Sequence, residues 1–197
     1  MRKLIRPAAP SVLQEHSERW NNQWKELKTN SPSAQFHWYA FEKRSARDWI
    51  LKDLATMTQG HCAFCDRFTV EPESVEHFRP KSDPRFLHLA YSWGNLYFCC
   101  GGCQNYKREQ WDEGLLNPDA DDYVFDRYFA FDFTTGALIP NPAASDANQQ
   151  RADVTIRLYG LDSTERRRFR LMELRNWQRT DGMELDEFAY RDFVRER

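Results

Sequence analysis

The sequence predicts an α+β protein in which a small zinc-binding unit lies between helical regions. Two Cys-x-x-Cys pairs, Cys62/Cys65 and Cys100/Cys103, are further apart than the pairs of a minimal zinc ribbon. Short apolar runs typical of strands lie near these cysteines, whereas apolar residues at helical spacing precede and follow them. The prediction is therefore a central α+β unit with helices on both sides.

Three regions follow from this pattern, and we expect them to form one compact unit. They are an N-terminal helical extension at 1–60, a core at 61–140 and a C-terminal helical region at 141–197. A chain of 197 residues is long enough to bury a core of this size. No stretch approaches the roughly 20 apolar residues of a membrane-spanning helix, and the charged opening segment lacks the apolar run of a signal peptide. We expect a cytoplasmic protein with no membrane partner.

The N-terminal region contains two predicted helices. The first covers about 11–28, with Ser11 and Gln14 as a capping box, and the second covers about 45–59. Their predicted inward faces are Leu13, Trp20, Trp24 and Leu27 in the first helix and Trp49, Ile50, Leu54 and Met57 in the second. The aromatic segment at 36–41 is expected to pack in the core or against a partner.

The remaining elements are short strands followed by helices. The predicted strands are 74–78, 96–98, 128–133 and 137–139. A helix at 104–111 follows the second cysteine pair. In the C-terminal region, Gly160 is expected to end one helix, and Asp162 or Ser163 to cap a longer one.

The five cysteines favour metal binding over disulfides. Without an export signal, the thiols are expected to stay reduced. Each Cys-x-x-Cys pair can direct two thiolates at one ion, and four thiolates complete the tetrahedral shell of a structural Zn²⁺. Cys99 is left over and is expected to be a small buried residue beside the site. His61 adjoins Cys62 but is not needed as a ligand.

The residues enclosed by the cysteine pairs resemble the HNH endonuclease family. Glu76-His77, Asn95 and Gln104-Asn105 stand in the order of the HNH motif. A wider set of matches resembles the HNH subunits of Septu-type and retron-associated anti-phage systems, a group called PtuB. These matches, within about 60–175, are Val75 to Ser82, Trp93-x-Asn95-Leu96, Leu115 to Pro118 and Thr155-Ile156-x-x-Tyr159-Gly160-Leu161.

The resemblance implies a ββα-metal fold, also called the His-Me finger, and a role for each motif residue. His77 would be the general base that takes a proton from water. Glu76 would bind a catalytic Mg²⁺ or Mn²⁺. Asn95 would hold its loop and orient His77. The second metal ligand is open: Gln104 directly follows the last cysteine, but Asn105 has the usual side-chain length one helical step further on.

Nucleic acid is the expected substrate, and the sequence leaves DNA and tRNA both open. Arg79, Lys81, Lys107 and Arg108 are candidate contacts to its phosphates. The net charge of −2 excludes a highly basic coat protein, so affinity would come from a local patch, a metal ion or a partner.

The resemblance also implies partners. They are an SMC/ABC-like ATPase subunit of the PtuA type and, in retron-associated systems, an RNA–DNA element. Tryptophan and arginine commonly anchor interfaces, which makes three segments candidate docking surfaces. These are the helix with Trp20 and Trp24, the aromatic segment 36–41, and the arginine-rich stretch at 166–177. The alternative is that these segments close over one another in the protein's own core.

The prediction is a metal-dependent HNH endonuclease that is the effector subunit of an ATPase–nuclease anti-phage complex. One alternative is a zinc-ribbon module that binds nucleic acid or protein without catalysis, but such a ribbon has no need of Glu76, His77 and Asn95 in this order. Another is a stand-alone restriction or homing nuclease. That class would be expected to carry a specificity domain or a basic arm, and the balanced charge argues against it.

Overall fold

A computed structural model of the chain describes residues 1–68 and 73–195 and confirms a mixed α and β composition. The helices are α1 Ser11–Asn30, α2 Ala46–Thr58, α3 Gly101–Lys107, α4 Phe125–Tyr128, α5 Asp146–Tyr159, α6 Thr164–Arg179 and α7 Arg191–Arg195. The strands are β1 Ala40–Phe41, β2 Arg44–Ser45, β3 Glu73–His77, β4 Leu96–Cys100, β5 Phe129–Asp132 and β6 Ala137–Pro140. Short 3₁₀ helices cover Leu87–Leu89, Trp93–Asn95 and Leu185–Glu187.

The described strands form three antiparallel pairs, β1–β2, β3–β4 and β5–β6. In the central pair, Glu76 lies opposite Tyr97 and His77 opposite Leu96. The connection between β3 and β4 contains two of the 3₁₀ helices, and α3 begins directly after β4. This order places the Glu76-His77 pair at the end of β3, beside the start of β4.

Both faces of the β3–β4 pair are buried. Leu96 and Phe98 pack in a cluster with Trp20 and Trp24 of α1 and Ile50 of α2. The alternating residues of the same strand, Tyr97 and Cys99, face a second cluster. Its members come from all three predicted regions and include Leu4, Phe64, Leu116 and Tyr159. The division of the chain at residues 60 and 140 remains a prediction.

The N-terminal helices match their predicted positions, with two differences in detail. Pro10 occupies the N-cap position of α1, so the capping box predicted for Ser11 and Gln14 is wrong; the Gln14 amide instead donates to the Ala9 carbonyl. Leu27, predicted to face inward, is 40 % exposed. Helix α2 starts as expected, because the Ser45 hydroxyl accepts the Arg47 N–H at 3.3 Å.

Helix α3 is shorter and starts earlier than the predicted 104–111. It ends at Lys107 because Arg108 has a φ of 49°, in the left-handed region that an α-helix cannot continue through. Further on, Gly160 ends α5 as predicted, and the Ser163 hydroxyl caps α6 by accepting the Arg166 N–H at 3.4 Å. Asp162, the other candidate cap, pairs with Arg167.

In two of the candidate docking segments, several of the tryptophans and arginines lie in the protein's own core. Trp20 and Trp24 are each 2 % exposed, and the Trp24 indole donates to the Lys81 carbonyl at 2.8 Å. Arg166 and Arg170 are also buried. None of the helices in the described part of the chain has the length and apolar character that crossing a bilayer would require.

Candidate functional site

The four predicted cysteine ligands meet in one cluster. Their Sγ atoms all lie within 4.8 Å of one another. The Cys62–Cys103 and Cys65–Cys100 sulfur pairs are each 3.7 Å apart. A tetrahedral site with Zn–S bonds of about 2.3 Å would separate its sulfurs by about 3.8 Å. The cluster therefore fits a metal ion such as Zn²⁺, and four thiolates would leave no coordination position for a substrate.

Backbone hydrogen bonds hold the first cysteine pair against the sheet. The turn after α2 closes where the Cys62 carbonyl accepts the Asp66 N–H at 2.9 Å, and the Ala63 N–H donates to Phe98 of β4 at 2.9 Å. Cys100 ends β4, and its sulfur accepts the Cys103 N–H at 3.4 Å in the first turn of α3. The knuckles are thus attached to both strands and helix of the central unit.

Cys99 and His61, which the predicted zinc site does not require as ligands, have structural positions. Cys99 is fully buried, and this burial raises the pKa of its thiol well above the usual value. The ring nitrogens of His61 lie 2.8 Å from the Gln59 carbonyl oxygen and 3.0 Å from that of Phe188. His61 therefore joins the end of α2 to the C-terminal segment.

Arg166 of α6 lies directly against the cysteine cluster. Its guanidinium donates to Cys103 Sγ at 3.1 Å and to the Tyr159 carbonyl at 2.7 Å, and the residue is 4 % exposed. Burial acts to lower the pKa of Arg166, but the cysteine sulfurs, led by Cys103, raise it by a larger amount. The pKa is therefore above its usual value, and the side chain stays charged. The guanidinium can therefore offset part of the negative charge that four thiolates would carry around a metal ion.

His77 is held as a neutral ring with one proton-accepting nitrogen. Its Nε2 lies 2.9 Å from the Ala90 carbonyl oxygen, which can only accept, so Nε2 carries the proton and Nδ1 does not. Burial keeps the pKa of His77 well below its usual value, and Lys81 acts in the same direction. These conditions suit a general base, because Nδ1 is free of a proton at neutral pH.

Two aromatic side chains and helix α1 fix the surroundings of His77. The imidazole stacks on Trp38 at 5.7 Å between ring centroids and meets Phe36 edge-on at 5.1 Å. Next to Ala90, the Tyr91 N–H donates to the Asn21 side chain of α1 at 2.7 Å. The segment at 36–41 therefore forms one wall of the site.

Asn95 bridges the backbone of the loop between β3 and β4. Its side-chain oxygen accepts the Arg79 N–H at 2.7 Å. Its amide nitrogen donates to the Arg79 and Leu89 carbonyls, each at 3.0 Å. These bonds tie the residues after His77 to the 3₁₀ helix that leads to Ala90.

Glu76 forms a buried ion pair with Lys107, which corrects the expected position of that lysine. The Lys107 ammonium lies 2.6 Å from the Glu76 carboxylate and 2.9 Å from the His77 carbonyl oxygen, with its side chain fully buried. Burial raises the pKa of Glu76, and the attraction of Lys107 opposes this shift. A buried carboxylate needs such a counter-charge. Lys107 therefore lies beneath the site and is not a surface contact for phosphate.

The motif residues line a cavity of about 220 Å³ between β3 and α3. Its lining consists of Glu76, His77, Pro80, Lys81, Gln104, Asn105, Arg108 and Glu109. Lys81 and Arg108 thus border the cavity as phosphate contacts would. Arg79 is exposed beside it, with its guanidinium 5.3 Å from the centre of the Trp111 ring.

The oxygen atoms of this cavity fit a hard divalent cation. A carboxylate from Glu76 and amide oxygens from Gln104 and Asn105 are the ligand types that Mg²⁺ and Mn²⁺ prefer. Lys107 bonds Oε1 of the Glu76 carboxylate. The Gln104 amide nitrogen lies 3.4 Å from the Val75 carbonyl, so this side chain is tied towards β3.

Comparison with known proteins adds one relative. No family model matches the chain. The sequence is 27 % identical over 129 residues to Septu protein PtuB of Bacillus mycoides strain KBAB4. This chain is similar to PtuB over that stretch. The alignment covers 56 % of this chain and 42 % of the Bacillus protein, so the chain matches less than half of the length of PtuB.

Three features of this PtuB-like protein were not predicted from its sequence. Trp38 packs on His77, and Arg166 contacts the cysteine cluster. The Glu109 carboxylate lines the cavity, accepts a hydrogen bond from the Ser82 hydroxyl at 2.5 Å and pairs with Lys81 at 3.1 Å. None of these residues follows the motif spacing. A charged residue with partners on a distant element gives no local signal for burial.

Proposed function

We propose that this PtuB-like chain is a metal-dependent endonuclease of the HNH type that hydrolyses phosphodiester bonds in nucleic acid. The observation that carries the proposal is the fixed, neutral His77 at the edge of a cavity that also contains Glu76 and two amide side chains. The order β3, β4, α3 supports a ββα-metal core, with the structural zinc knuckles attached to the same three elements.

The protein's own groups perform the proton transfer and the positioning. His77 Nδ1 takes a proton from the water that attacks phosphorus, while Nε2 stays bonded to Ala90. Trp38 and Phe36 hold the imidazole plane, so the ring does not have to be ordered when substrate binds. Lys81 and Arg108 contribute positive charge to phosphate binding at the cavity.

A divalent cation would supply the remaining chemistry. Held by Glu76 with Asn105 or Gln104, Mg²⁺ or Mn²⁺ would neutralise phosphate charge and stabilise the departing sugar oxygen. Lys107 would then keep Glu76 in its charged form. The choice of amide is tested by comparing the Asn105→Ala and Gln104→Ala variants for the metal concentration that gives half-maximal cleavage. The ligand is the residue whose loss raises that concentration.

Replacement of His77 tests the catalytic assignment. A general base contributes about 10²–10⁴-fold in rate, so His77→Ala should lower plasmid nicking and tRNA cleavage by that factor in the presence of Mg²⁺ or Mn²⁺. The matched control is His88→Ala, an exposed histidine in the same loop region. Zinc content and circular dichroism establish that both variants are folded. Wild-type rates in a folded His77→Ala protein would refute the assignment.

The second part of the proposal is that the chain works as a subunit of an anti-phage defence complex with a PtuA-like ATPase. The PtuB similarity supports this, and the net charge of −2 suggests that capture of nucleic acid needs help from a partner. Co-expression with an ATPase encoded beside it, followed by size-exclusion chromatography and light scattering, gives the test. Separate elution with and without ATP, combined with full regulated activity of this chain alone, would contradict the complex.

One observation favours a non-catalytic alternative. The Lys107 ammonium already balances the negative charge of Glu76, as in a purely structural ion pair. In that case the cysteine cluster would serve a module that binds nucleic acid or protein without cleaving it. Tight nucleic-acid binding without any cleavage, unchanged by His77→Ala and by Mn²⁺, would support this alternative.

A further inference from the structure

Helix α3 borders a second, open groove immediately beside the cavity. Asn105 and Arg108 line both spaces, so the groove and the cavity adjoin at these two residues. The groove also contains Gly102, Tyr106 and Gln110 and has a volume of about 480 Å³. This lies within the roughly 300–1,000 Å³ typical of sites for small molecules. A nucleic-acid strand with a phosphate in the cavity would therefore extend into the groove.

Tyr106 gives this groove a fixed aromatic surface. A Cβ atom added at Gly160 would lie 2.5 Å from Cγ of Tyr106 and 2.6 Å from each Cδ atom. Such nearly equal distances place Gly160 over the face of the ring and not at its edge. Gly160 also has a φ of 58°, so glycine serves both the helix end and the close approach.

Half of the Tyr106 surface is open to solvent, and the Arg166 guanidinium lies 5.8 Å from the ring centroid. The residue is 50 % exposed although one of its faces is covered by Gly160. Large aromatic side chains lose apolar burial in such a position, and the described residues of the groove around the ring are polar or glycine. Arg108 lines both the groove and the cavity, where a positive charge can contact the backbone of a nucleic acid.

We propose that Tyr106 is a stacking subsite for an unpaired nucleobase adjacent to the scissile phosphate. The inference rests on the proposed nuclease function and deepens it by naming the form of substrate. Arg108 contacts the phosphate at the junction, and the neighbouring base lies on the open face of Tyr106. In an intact duplex the faces of that base are covered by its neighbours, so the subsite selects single strands, loops or frayed ends.

Binding measurements with a fluorescent base test the subsite. The His77→Ala protein, which should bind without cleaving, is titrated with single-stranded oligonucleotides that contain 2-aminopurine. Stacking on Tyr106 should quench the fluorescence. Loss of one stacked base corresponds to about 5- to 150-fold weaker affinity, which is the change expected for Tyr106→Leu. Tyr106→Phe keeps the ring and should bind like its parent, as should Met172→Ala, which removes a distant exposed side chain.

The outcomes separate this inference from the nuclease proposal. Quenching and affinity that are equal in the Leu variant and its parent would overturn the subsite, even if the wild-type chain cleaves nucleic acid. Absence of cleavage by the wild-type chain, with binding that still depends on Tyr106, would overturn the nuclease and leave the base-binding site. If Tyr106→Leu fails to fold, photocrosslinking of the unaltered protein to 5-iodouracil oligonucleotides decides. A crosslink mapped to Tyr106 supports the subsite, and crosslinks confined to other regions overturn it.

Discussion

At the scale of single residues, the site depends on buried charges that balance one another. Glu76 and Lys107 form one such pair, and Arg166 faces the cysteine sulfurs in the same interior. Each charge is tolerated because its partner is within hydrogen-bond distance. Removal of one member of a pair should therefore lower the free energy of unfolding more than removal of both members.

Replacement of Lys107 by methionine tests this balance. The Lys107→Met variant leaves the Glu76 carboxylate buried without its ammonium partner, and breaking such a pair costs about 3–5 kcal/mol of unfolding free energy. The double variant Glu76→Gln/Lys107→Met removes both charges and should lose less. Urea unfolding followed by circular dichroism measures both values. A double variant less stable than Lys107→Met would show that the ion pair is not the source of the loss.

Arg166 should control how firmly zinc is held. Loss of a residue that donates to a metal ligand commonly weakens metal affinity by about 10- to 100-fold. Arg166→Gln should therefore release zinc faster to a chromogenic chelator. Arg168→Gln removes an exposed arginine from the same helix and is the matched control. Equal release rates in the two variants would exclude a role of Arg166 at the metal.

At the scale of secondary-structure elements, α1 holds two loops of the candidate site. Asn21 accepts the Tyr91 N–H at 2.7 Å, and Trp24 donates to the Lys81 carbonyl at 2.8 Å. Tyr91 follows Ala90, whose carbonyl orients His77, and Lys81 borders the cavity. In the proposed nuclease, the helix therefore acts through the backbone positions that it fixes and not through a group that contacts substrate.

Two neighbouring asparagines of α1 allow a matched comparison. Asn21→Ala leaves the Tyr91 N–H buried without an acceptor, which costs about 1–3 kcal/mol of stability. It should also lower the cleavage rate with little effect on substrate affinity, because Ala90 and His77 lose their fixed position. Asn22→Ala alters an exposed residue and should leave both quantities unchanged. Cleavage by a folded Asn21→Ala protein at the wild-type rate would argue against this path.

At the scale of the whole molecule, the first cysteine knuckle joins distant parts of the chain. Asp66, directly after Cys65, accepts the Arg191 backbone N–H at 2.7 Å and pairs with its guanidinium at 2.6 Å. The Asp66 carbonyl also accepts the Tyr190 N–H at 2.8 Å. The C-terminal segment therefore docks on the loop that the metal would hold in shape.

Zinc removal should consequently destabilise the C-terminal segment as well as the knuckles. Chelation would lower the thermal stability and raise amide hydrogen exchange at 62–66 and 185–195 together, because metal binding to such sites is coupled to folding. Exchange in α1, which belongs to the other cluster, should rise less. Hydrogen exchange followed by mass spectrometry measures all three regions. Unchanged exchange at 185–195 in the zinc-free protein would contradict the coupling.

Local features of the sequence were sufficient to predict the cysteine cluster and the positions of most helices and strands. The Cys-x-x-Cys spacing, the Ser45 cap and the Gly160 helix end act within a few residues, so their consequences can be derived without the rest of the fold. The motif order was likewise enough to bring Glu76, His77, Gln104 and Asn105 to one cavity. The sequence by itself therefore determined the cysteine knuckles and the set of residues at the candidate site.

The tertiary structure decided which charges and rings are available to that site. Lysine and arginine are residue types usually found on the surface. Lys107 and Arg166 are nevertheless buried, because a carboxylate or thiol partner from a distant element contacts each of them. Trp38 forms a wall of the site, and Tyr106 is half exposed although Gly160, directly after α5, covers one face of its ring. Local spacing carries no information about such long-range packing, since a side chain's burial depends on elements that are distant in sequence.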